Sequence, residues 1–173
     1  MTKYDFIIGI DPDVDKSGLA LLQTEAKKII ELKCFKFPEL IETIREYDKG
    51  AKVMFRKMVV VVEASWLNGG NWHINAKDSR QRAAMKGNAV GRNHETGRKI
   101  VECLKYYDVE VVEQLPLKKC WHGPEGKITH DELEYFIPEF PNKSNQETRD
   151  SALLAWNFAN LPIRVKPISA KAK

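Results

Sequence analysis

Two strongly apolar runs in this chain each end in a carboxylate, and this pattern limits the possible folds more than any other feature. The stretch FIIGIDPDVDKSGLALL leads from Phe6 through an apolar run into Asp11, and then returns into a second apolar run. The stretch KMVVVVE places four valines directly before Glu63. Short runs rich in β-branched residues are typical of strands that are covered on both faces. The sequence therefore predicts a buried sheet that presents carboxylates at its edge.

The remaining pattern predicts an α/β domain on a mixed sheet. Strands are predicted over 4–11, 19–24, 28–37, 57–63 and 109–114, the first three as an antiparallel meander. One helix is predicted to begin at Pro38. A second is predicted to follow the Gly- and Asn-rich segment that ends at residue 88 and to run through about Tyr107. A third is predicted to begin with the capping box at Thr129, and a fourth to span 146–158. This order of strands and helices indicates a sheet flanked by helical layers.

Length and composition agree with one soluble domain. A chain of 173 residues is long enough for a single sizeable core, and no apolar run approaches the length needed to cross a bilayer. Asp5 and Asp11 interrupt the N-terminal apolar stretch, so no signal-peptide pattern is present. Three widely spaced cysteines do not form a disulfide framework. We therefore expect a cytoplasmic protein without membrane association.

Basic residues are concentrated in two segments, although the net charge is only +4. Residues 77–105 contain eight Lys and Arg side chains against three acidic ones, and residues 164–173 contain four against none. A basic face beside an acidic pocket suits a polyanion held near a bound cation. The same charges also fit solvated helical faces and a loose tail, so charge alone leaves both interpretations open.

A further pair of carboxylates begins the last predicted helix. Glu147 and Asp150 are three residues apart, so their side chains project from one helical face. Sharing a pocket with Asp11 and Glu63 would cost on the order of several kcal/mol per buried charge without a counter-ion. Mg²⁺ removes this cost, because it takes oxygen ligands and clamps phosphodiesters in two-metal sites. Taken singly, each carboxylate could instead cap a strand, pair with a lysine or complement the helix dipole.

Four segments of the chain together resemble the RuvC-like Holliday junction resolvases of the ribonuclease H superfamily. The segments are GIDPDVDKSGLAL, VVVVEASW, VGRNHETGRKIVECL and ETRDSALLAW, and the resemblance runs from about Tyr4 to Asn160. It implies a ribonuclease H-like mixed sheet, with three antiparallel strands followed by parallel strands and with flanking helices. It divides the chain into a nuclease domain over 1–162 and a basic C-terminal tail over 163–173. Two positions depart from the family pattern, since Asp13 stands in place of the usual Gly and Glu147 in place of a common Asp.

The resemblance also implies an activity and a site. The activity is Mg²⁺-dependent cleavage of branched DNA, by paired nicks at a four-way junction, in a symmetric homodimer. The catalytic and metal-binding residues that it implies are Asp11, Glu63, Glu147 and Asp150. They would bind two Mg²⁺ ions, or Mn²⁺ instead of Mg²⁺. The family has a Gly-rich helix that packs closely on the sheet, and the segment of this chain that contains Gly91 and Gly97 matches it.

Other functions of the same fold stay open at this point. A ribonuclease H-type nuclease acting on flaps or RNA–DNA hybrids would use the same carboxylates. A non-catalytic nucleic-acid-binding module would keep the fold alone. A sugar-kinase-type fold shares the opening turn but needs two such domains, which 173 residues do not allow, so no nucleotide cofactor is expected.

Candidate DNA-binding residues surround the carboxylates in the sequence. Trp66 and Trp72 flank a Gly-Gly pair after Glu63, and an indole in such a polar loop can stack on an unpaired base. One of them, Trp66 in particular, could instead fold back and anchor the loop on the protein body. The basic candidates are Lys118, Lys119 and Lys127 near the scissile phosphate, and Arg92, Arg98 and Lys99 along the DNA backbone. For each lysine, ordinary solvent exposure is the alternative.

Two other kinds of metal site are excluded by residue spacing. The stretch DPDVDKSG begins like a calcium loop, but its Gly comes two positions late and Leu22 stands where the bidentate Glu would be. Cys120, His122 and His130 lack the paired ligand spacing of a zinc site.

Overall fold

The computed structural model describes residues 3–68 and 78–167. The strands within these residues are β1 (Phe6–Asp11), β2 (Ser17–Gln23), β3 (Lys28–Phe35), β4 (Met58–Glu63) and β5 (Val111–Gln114). The α-helices are α1 (Phe37–Val53), α2 (Arg80–Tyr106), α3 (His130–Phe136) and α4 (Gln146–Phe158). In these parts of the chain, no helix combines the length and apolar character that a membrane span requires.

The strands form one mixed sheet in the order β3-β2-β1-β4-β5. β2 runs antiparallel to both β1 and β3, whereas β4 runs parallel to both β1 and β5. Three antiparallel strands are thus followed by parallel ones, with helices on both faces. The predicted ribonuclease H-like fold class is confirmed by this order.

Alternating side chains of the central strands build one core on each face of the sheet. In β4, Val60 and Val62 join the core beneath α1 and α2, whereas Val59 and Val61 join the core beneath α3 and α4. All four valines are fully buried. This two-sided burial explains why the run contains no polar alternation.

Helix α4 comes very close to the sheet because two strand positions carry no side chain. A Cβ atom built on Gly9 of β1 would overlap the carbonyl oxygen of Ser151, and one built on Gly18 of β2 would overlap the carbonyl of Glu147. The facing residues Ser151 and Ala155 are small and fully buried. The last helix of the fold therefore lies almost backbone to backbone on the first two strands.

Helix α2 begins earlier than the sequence predicts. It starts at Arg80 rather than after residue 88, because the Ser79 side chain caps it by accepting a hydrogen bond from the backbone N–H of Arg82 at 3.2 Å. Strong helix formers follow and carry the helix through the Gly-containing stretch. Smaller differences are the end of β3 at Phe35 and the start of β5 at Val111.

The close packing expected of two glycines in α2 is found at only one of them. Gly97 is buried, and the ring of Trp66 lies directly against it. Gly91 is exposed, and a Cβ atom there would meet nothing within 4 Å. The expectation is therefore wrong for Gly91, which lies on a part of α2 that extends beyond the core.

We expect Gly9→Ala to destabilise the fold by about 1–3 kcal/mol, because the added methyl group has to push α4 away from β1. Gly91→Ala is the matched control, since it has open space and removes only the backbone freedom of glycine, which should stabilise the helix by up to about 1 kcal/mol. Urea unfolding of both variants and the parent measures these free energies. Equal stability of Gly9→Ala and the parent would contradict the close contact between α4 and β1.

Candidate active site

Asp11 and Glu63 lie side by side at one edge of the sheet and project to the same face. The residues before them, Ile10 and Val62, are paired across β1 and β4 and point into the core beneath α1 and α2. Because side chains alternate along a strand, Asp11 and Glu63 project to the opposite face, which α4 covers. The two carboxylates predicted at strand ends are therefore brought together.

Helix α4 adds two more carboxylates at this edge. The Ser151 hydroxyl accepts a hydrogen bond from the backbone N–H of Asp11 at 3.1 Å and donates one to the carbonyl oxygen of Glu147 at 2.7 Å. Ser151 is fully buried, so this hydroxyl ties the end of β1 to the first turn of α4. Glu147, in that turn, and Asp150, directly before Ser151, are held near Asp11 as a result.

The pKa of Asp11 responds to the charges of the other three carboxylates. It is raised well above its ordinary value, first by burial and then by the charges of Glu63, Asp150 and Glu147, with Asp13 adding the least. Each of these charges disfavours ionisation of Asp11. The four predicted site residues therefore form one electrostatically linked group, which we call the carboxylate cluster.

Two lysines lie beside the carboxylate cluster. Burial raises the pKa of Glu63 to about 7, with a further contribution from Asp150, and Lys119 and Lys127 oppose this rise. Burial also raises the pKa of Asp150, opposed first by a hydrogen bond from Gln146 and then by the same two lysines. Lys119 and Lys127 thus lie near enough to act on the charges of Glu63 and Asp150.

The segment that carries these lysines is folded back on itself. The backbone N–H of Gly123 donates to the carbonyl oxygen of Lys127 at 3.0 Å. Gly126 has a φ of +73°, a conformation that favours glycine, and packs against the backbone of Lys119. These contacts hold Lys119 and Lys127 together. Lys118, the third predicted lysine, is not among the charges that act on the pKa of Glu63 or Asp150.

The side chain of Asp13 forms hydrogen bonds within the turn between β1 and β2 and with α2. Its Oδ1 accepts hydrogen bonds from the backbone N–H groups of Asp15 at 2.8 Å and Lys16 at 3.4 Å. Its Oδ2 accepts one from Asn93 of α2 at 3.3 Å, and the Asn93 side-chain oxygen accepts one from Val14 at 3.2 Å. Asp13 and Asn93 therefore tie the turn to α2.

The carboxylate cluster fits a divalent cation by its donor chemistry and its charge. Carboxylate oxygens are the ligands that Mg²⁺ and Mn²⁺ take, and a cation would offset the repulsion that raises the pKa of Asp11. Among residues 3–68 and 78–167, no three Asp, Glu, His or Cys side chains converge tightly enough to hold a metal ion as they stand. The fit therefore rests on donors and electrostatics rather than on a closed ligand geometry.

Trp66 packs against the protein body, and Trp72 lies outside the described residues. The Trp66 indole N–H donates to Glu113 at 3.3 Å, and the Arg98 guanidinium lies 5.9 Å from the centre of the ring. The ring also fills the space above Gly97. These contacts fit the interpretation in which Trp66 anchors its loop, and base stacking by either tryptophan stays a prediction.

The other basic candidates lie along α2. Arg92 and Arg98 are exposed, and Lys99 forms an ion pair with Glu102 at 2.7 Å. The helix has 27 residues, which corresponds to a length of roughly 40 Å. Its buried residues begin only at Gly97, so Arg92 lies on the extended part. Contacts of these residues with DNA stay predictions.

Sequence reasoning did not find the residues that hold the carboxylates in place. The hydroxyl of Ser151, the amide of Gln146 and the side chain of Asn93 each contact a residue of the site or of its turn. One signal was present in the sequence, because Ser151 and Ala155 form a small-residue pair four positions apart. Such a pair indicates a helix face that comes close to a neighbouring backbone.

Of three comparisons with known proteins, the one with solved structures gives matches. No protein-family model matches the chain, and a search of curated proteins gives no match either. The solved structures that match include Thermus thermophilus RuvC in complex with Holliday junction substrate, at 15% identity and a TM-score of 0.48, covering 89% of this chain and 90% of that one. They also include a structure of Thermus thermophilus RuvC, at 16% identity and a TM-score of 0.46, covering 89% of this chain and 92% of that one.

The chain has a mixed α/β fold, and its strand order is the one predicted for a ribonuclease H-like sheet. Two RuvC structures are among the solved structures that it matches. Identities of 15% and 16% do not transfer an activity, which has to be argued from the carboxylate cluster.

The stability of the protein should depend on pH through Glu63. Folding raises the pKa of this group from its ordinary 4.5 to about 7, so the folded state binds the proton more tightly than the unfolded state. This stabilisation is fully present below pH 4.5 and is lost as the pH rises through about 7. We expect a loss of up to about 3 kcal/mol from this group in EDTA, and Glu63→Gln should abolish that part of the slope.

Urea unfolding in EDTA at a series of pH values provides the measurement. Glu25→Gln, in the exposed turn between β2 and β3, is the control and should keep the slope of the parent. A Glu63→Gln profile that overlays the parent would remove Glu63 from the electrostatics of the cluster.

Proposed function

We propose that this protein is a metal-dependent endonuclease that cuts branched DNA and resolves four-way junctions by paired nicks. The observation that supports this most is the carboxylate cluster, in which the half-buried Asp11 lies among three further carboxylates with two lysines close by. Carboxylates that are partly removed from water and lie near one another favour a bound cation. Cations held by carboxylates are a common means of phosphodiester hydrolysis.

Each residue of the cluster and its surroundings has a proposed role. Asp11, Glu63, Glu147 and Asp150 would hold two Mg²⁺ ions, or Mn²⁺ in their place. Bound there, the ions would supply an activated water and neutralise charge on the leaving oxygen. Lys119 and Lys127 already lie beside Glu63 and Asp150, so they would attract the scissile phosphate and stabilise negative charge as it develops.

The remaining basic residues would position the DNA. Contacts with phosphates set affinity and orientation without reading sequence, and exposed side chains along a long helix suit them. The proposed contacts are made by Arg92, Arg98 and Lys99 of α2, by Lys118, and by the basic tail over 163–173. Trp72 is the proposed stacking residue. A homodimer would present two carboxylate clusters to opposed strands of a junction.

A panel of labelled substrates tests the proposed function against its alternatives. The panel contains a mobile four-way junction, a flap, an RNA–DNA hybrid and a linear duplex, each with and without Mg²⁺. Fastest cleavage of the junction, dependent on Mg²⁺, is the expected result. Preference for the flap or the hybrid would favour another ribonuclease H-type nuclease, and binding without any cleavage would favour a non-catalytic module.

We expect Asp11→Asn to reduce junction cleavage by at least about 100-fold, because it removes a charge from the centre of the cluster. Junction binding, measured by gel shift, should stay as tight as in the parent or become tighter. Asp15→Asn is the matched control, since Asp15 lies exposed in the adjoining turn and should leave cleavage near the parent rate. Near-parent cleavage by Asp11→Asn would place the active site elsewhere.

Thermal melts should detect cation binding without any DNA. Millimolar Mn²⁺ should raise the melting temperature of the parent. At an Mn²⁺ concentration of 100 times the dissociation constant, the free energy of unfolding should increase by about 2.7 kcal/mol. Asp150→Asn should be at least as stable as the parent in EDTA, because it removes repulsion, and should lose most of the Mn²⁺ effect. Asp131→Asn, at an exposed position of α3, is the control and should keep the full Mn²⁺ effect. A full Mn²⁺ shift in Asp150→Asn would show that Asp150 is not a ligand.

A further inference from the structure

The side chain of Asp150 accepts a hydrogen bond from the side-chain amide of Gln146. The Nε2 atom of Gln146 donates a hydrogen bond to Oδ1 of Asp150 at 2.8 Å, and it also lies 3.4 Å from the carbonyl oxygen of Ile128. The other end of the same amide, Oε1, accepts a hydrogen bond from Nη2 of Arg149 at 2.9 Å. Both ends of the Gln146 amide are therefore occupied.

The orientation of this amide matters for the charge at Asp150. An amide can present either its NH₂ group or its oxygen to a neighbour, and an oxygen facing a carboxylate would repel it. Arg149 can only donate hydrogen bonds, so it takes the oxygen end of Gln146 and leaves the NH₂ group for Asp150. The hydrogen bond from Gln146 accordingly opposes the effect of burial on the pKa of Asp150.

Arg149 is itself anchored on residues 119–128, which we call the lysine segment. Its Nε donates to the carbonyl oxygen of Ile128 at 3.1 Å, and its Nη1 donates to the carbonyl oxygen of Ser144 at 3.3 Å. Ile128 is buried and directly follows Lys127. One planar guanidinium group therefore directs its donors at the lysine segment, the start of α4 and the Gln146 amide together.

We propose that Gln146 and Arg149 are positioning residues that orient the Asp150 carboxylate toward a divalent cation and keep Lys127 beside it. This inference rests on the proposed function, because it takes the carboxylate cluster to bind a cation. Neither residue needs to touch the ion or the DNA. Hydrogen bonds that orient a metal-binding side chain typically change metal affinity about 10- to 100-fold when they are removed.

Mn²⁺ affinity, measured from the electron paramagnetic resonance signal of the free ion without DNA, tests this proposal. Gln146→Met keeps the length of the side chain and removes the donor, and Arg149→Met removes the guanidinium group. Each should weaken Mn²⁺ binding by about tenfold. The double variant should be no weaker than either single one, because both act through the orientation of Asp150. Gln23→Met, at the far end of β2, is the matched control and should bind like the parent.

Urea unfolding in EDTA separates positioning from a purely structural role. A structural role alone would lower the free energy of unfolding and leave the Mn²⁺ affinity of the folded variants unchanged, and that result would overturn the proposal. If Gln146→Met does not fold, the same comparison of Mn²⁺ affinity with the free energy of unfolding is made for Arg149→Met and for the milder Arg149→Lys. A parent that binds no Mn²⁺ overturns the cation site itself, which distinguishes a failure of the proposed function from a failure of the positioning role.

Discussion

The contact between α4 and the first two strands is the interaction on which the candidate site depends. Gly9 and Gly18 leave room for the helix backbone, and Ser151 joins the end of β1 to the first turn of α4. The same helix carries two carboxylates toward two others, and their repulsion opposes its docking. Its apolar residues offset that repulsion, since a buried side chain the size of Leu stabilises by about 1.5–3 kcal/mol and Trp156 is almost fully buried.

The positive charges near the cluster reduce its repulsion but do not remove it. Lys119 and Lys127 lower the pKa of Glu63, and yet the pKa remains about 7. Near neutral pH, the cluster therefore tends to hold either a proton or another positive charge. If it binds a cation, binding releases protons, and protons compete with the cation as the pH falls.

The strands, and the places of the four carboxylates at strand ends and on one helix face, could be predicted because their local patterns are strong. The valine run before Glu63 fits only a strand covered on both faces, and the spacing of Glu147 and Asp150 already places them on one side of a helix. The start of α2 was missed because a segment rich in Gly and Asn looks like a loop, whereas the Ser79 cap extends the helix to Arg80. Ser151, Gln146 and Arg149 could not be found this way, since their roles depend on which helix face meets which strand and on the orientation of one amide.

The docking of α4 also determines when the site can form. The bond between Asp11 and Ser151 joins residues 140 positions apart, the first strand of the chain and its last helix. Contacts this distant in sequence form late, and a chain emerging from the ribosome holds Asp11 and Glu63 long before Glu147 and Asp150 exist. A nascent or prematurely ended chain that lacks α4 carries only half of the carboxylates, so the fold itself keeps unfinished copies from assembling the cluster.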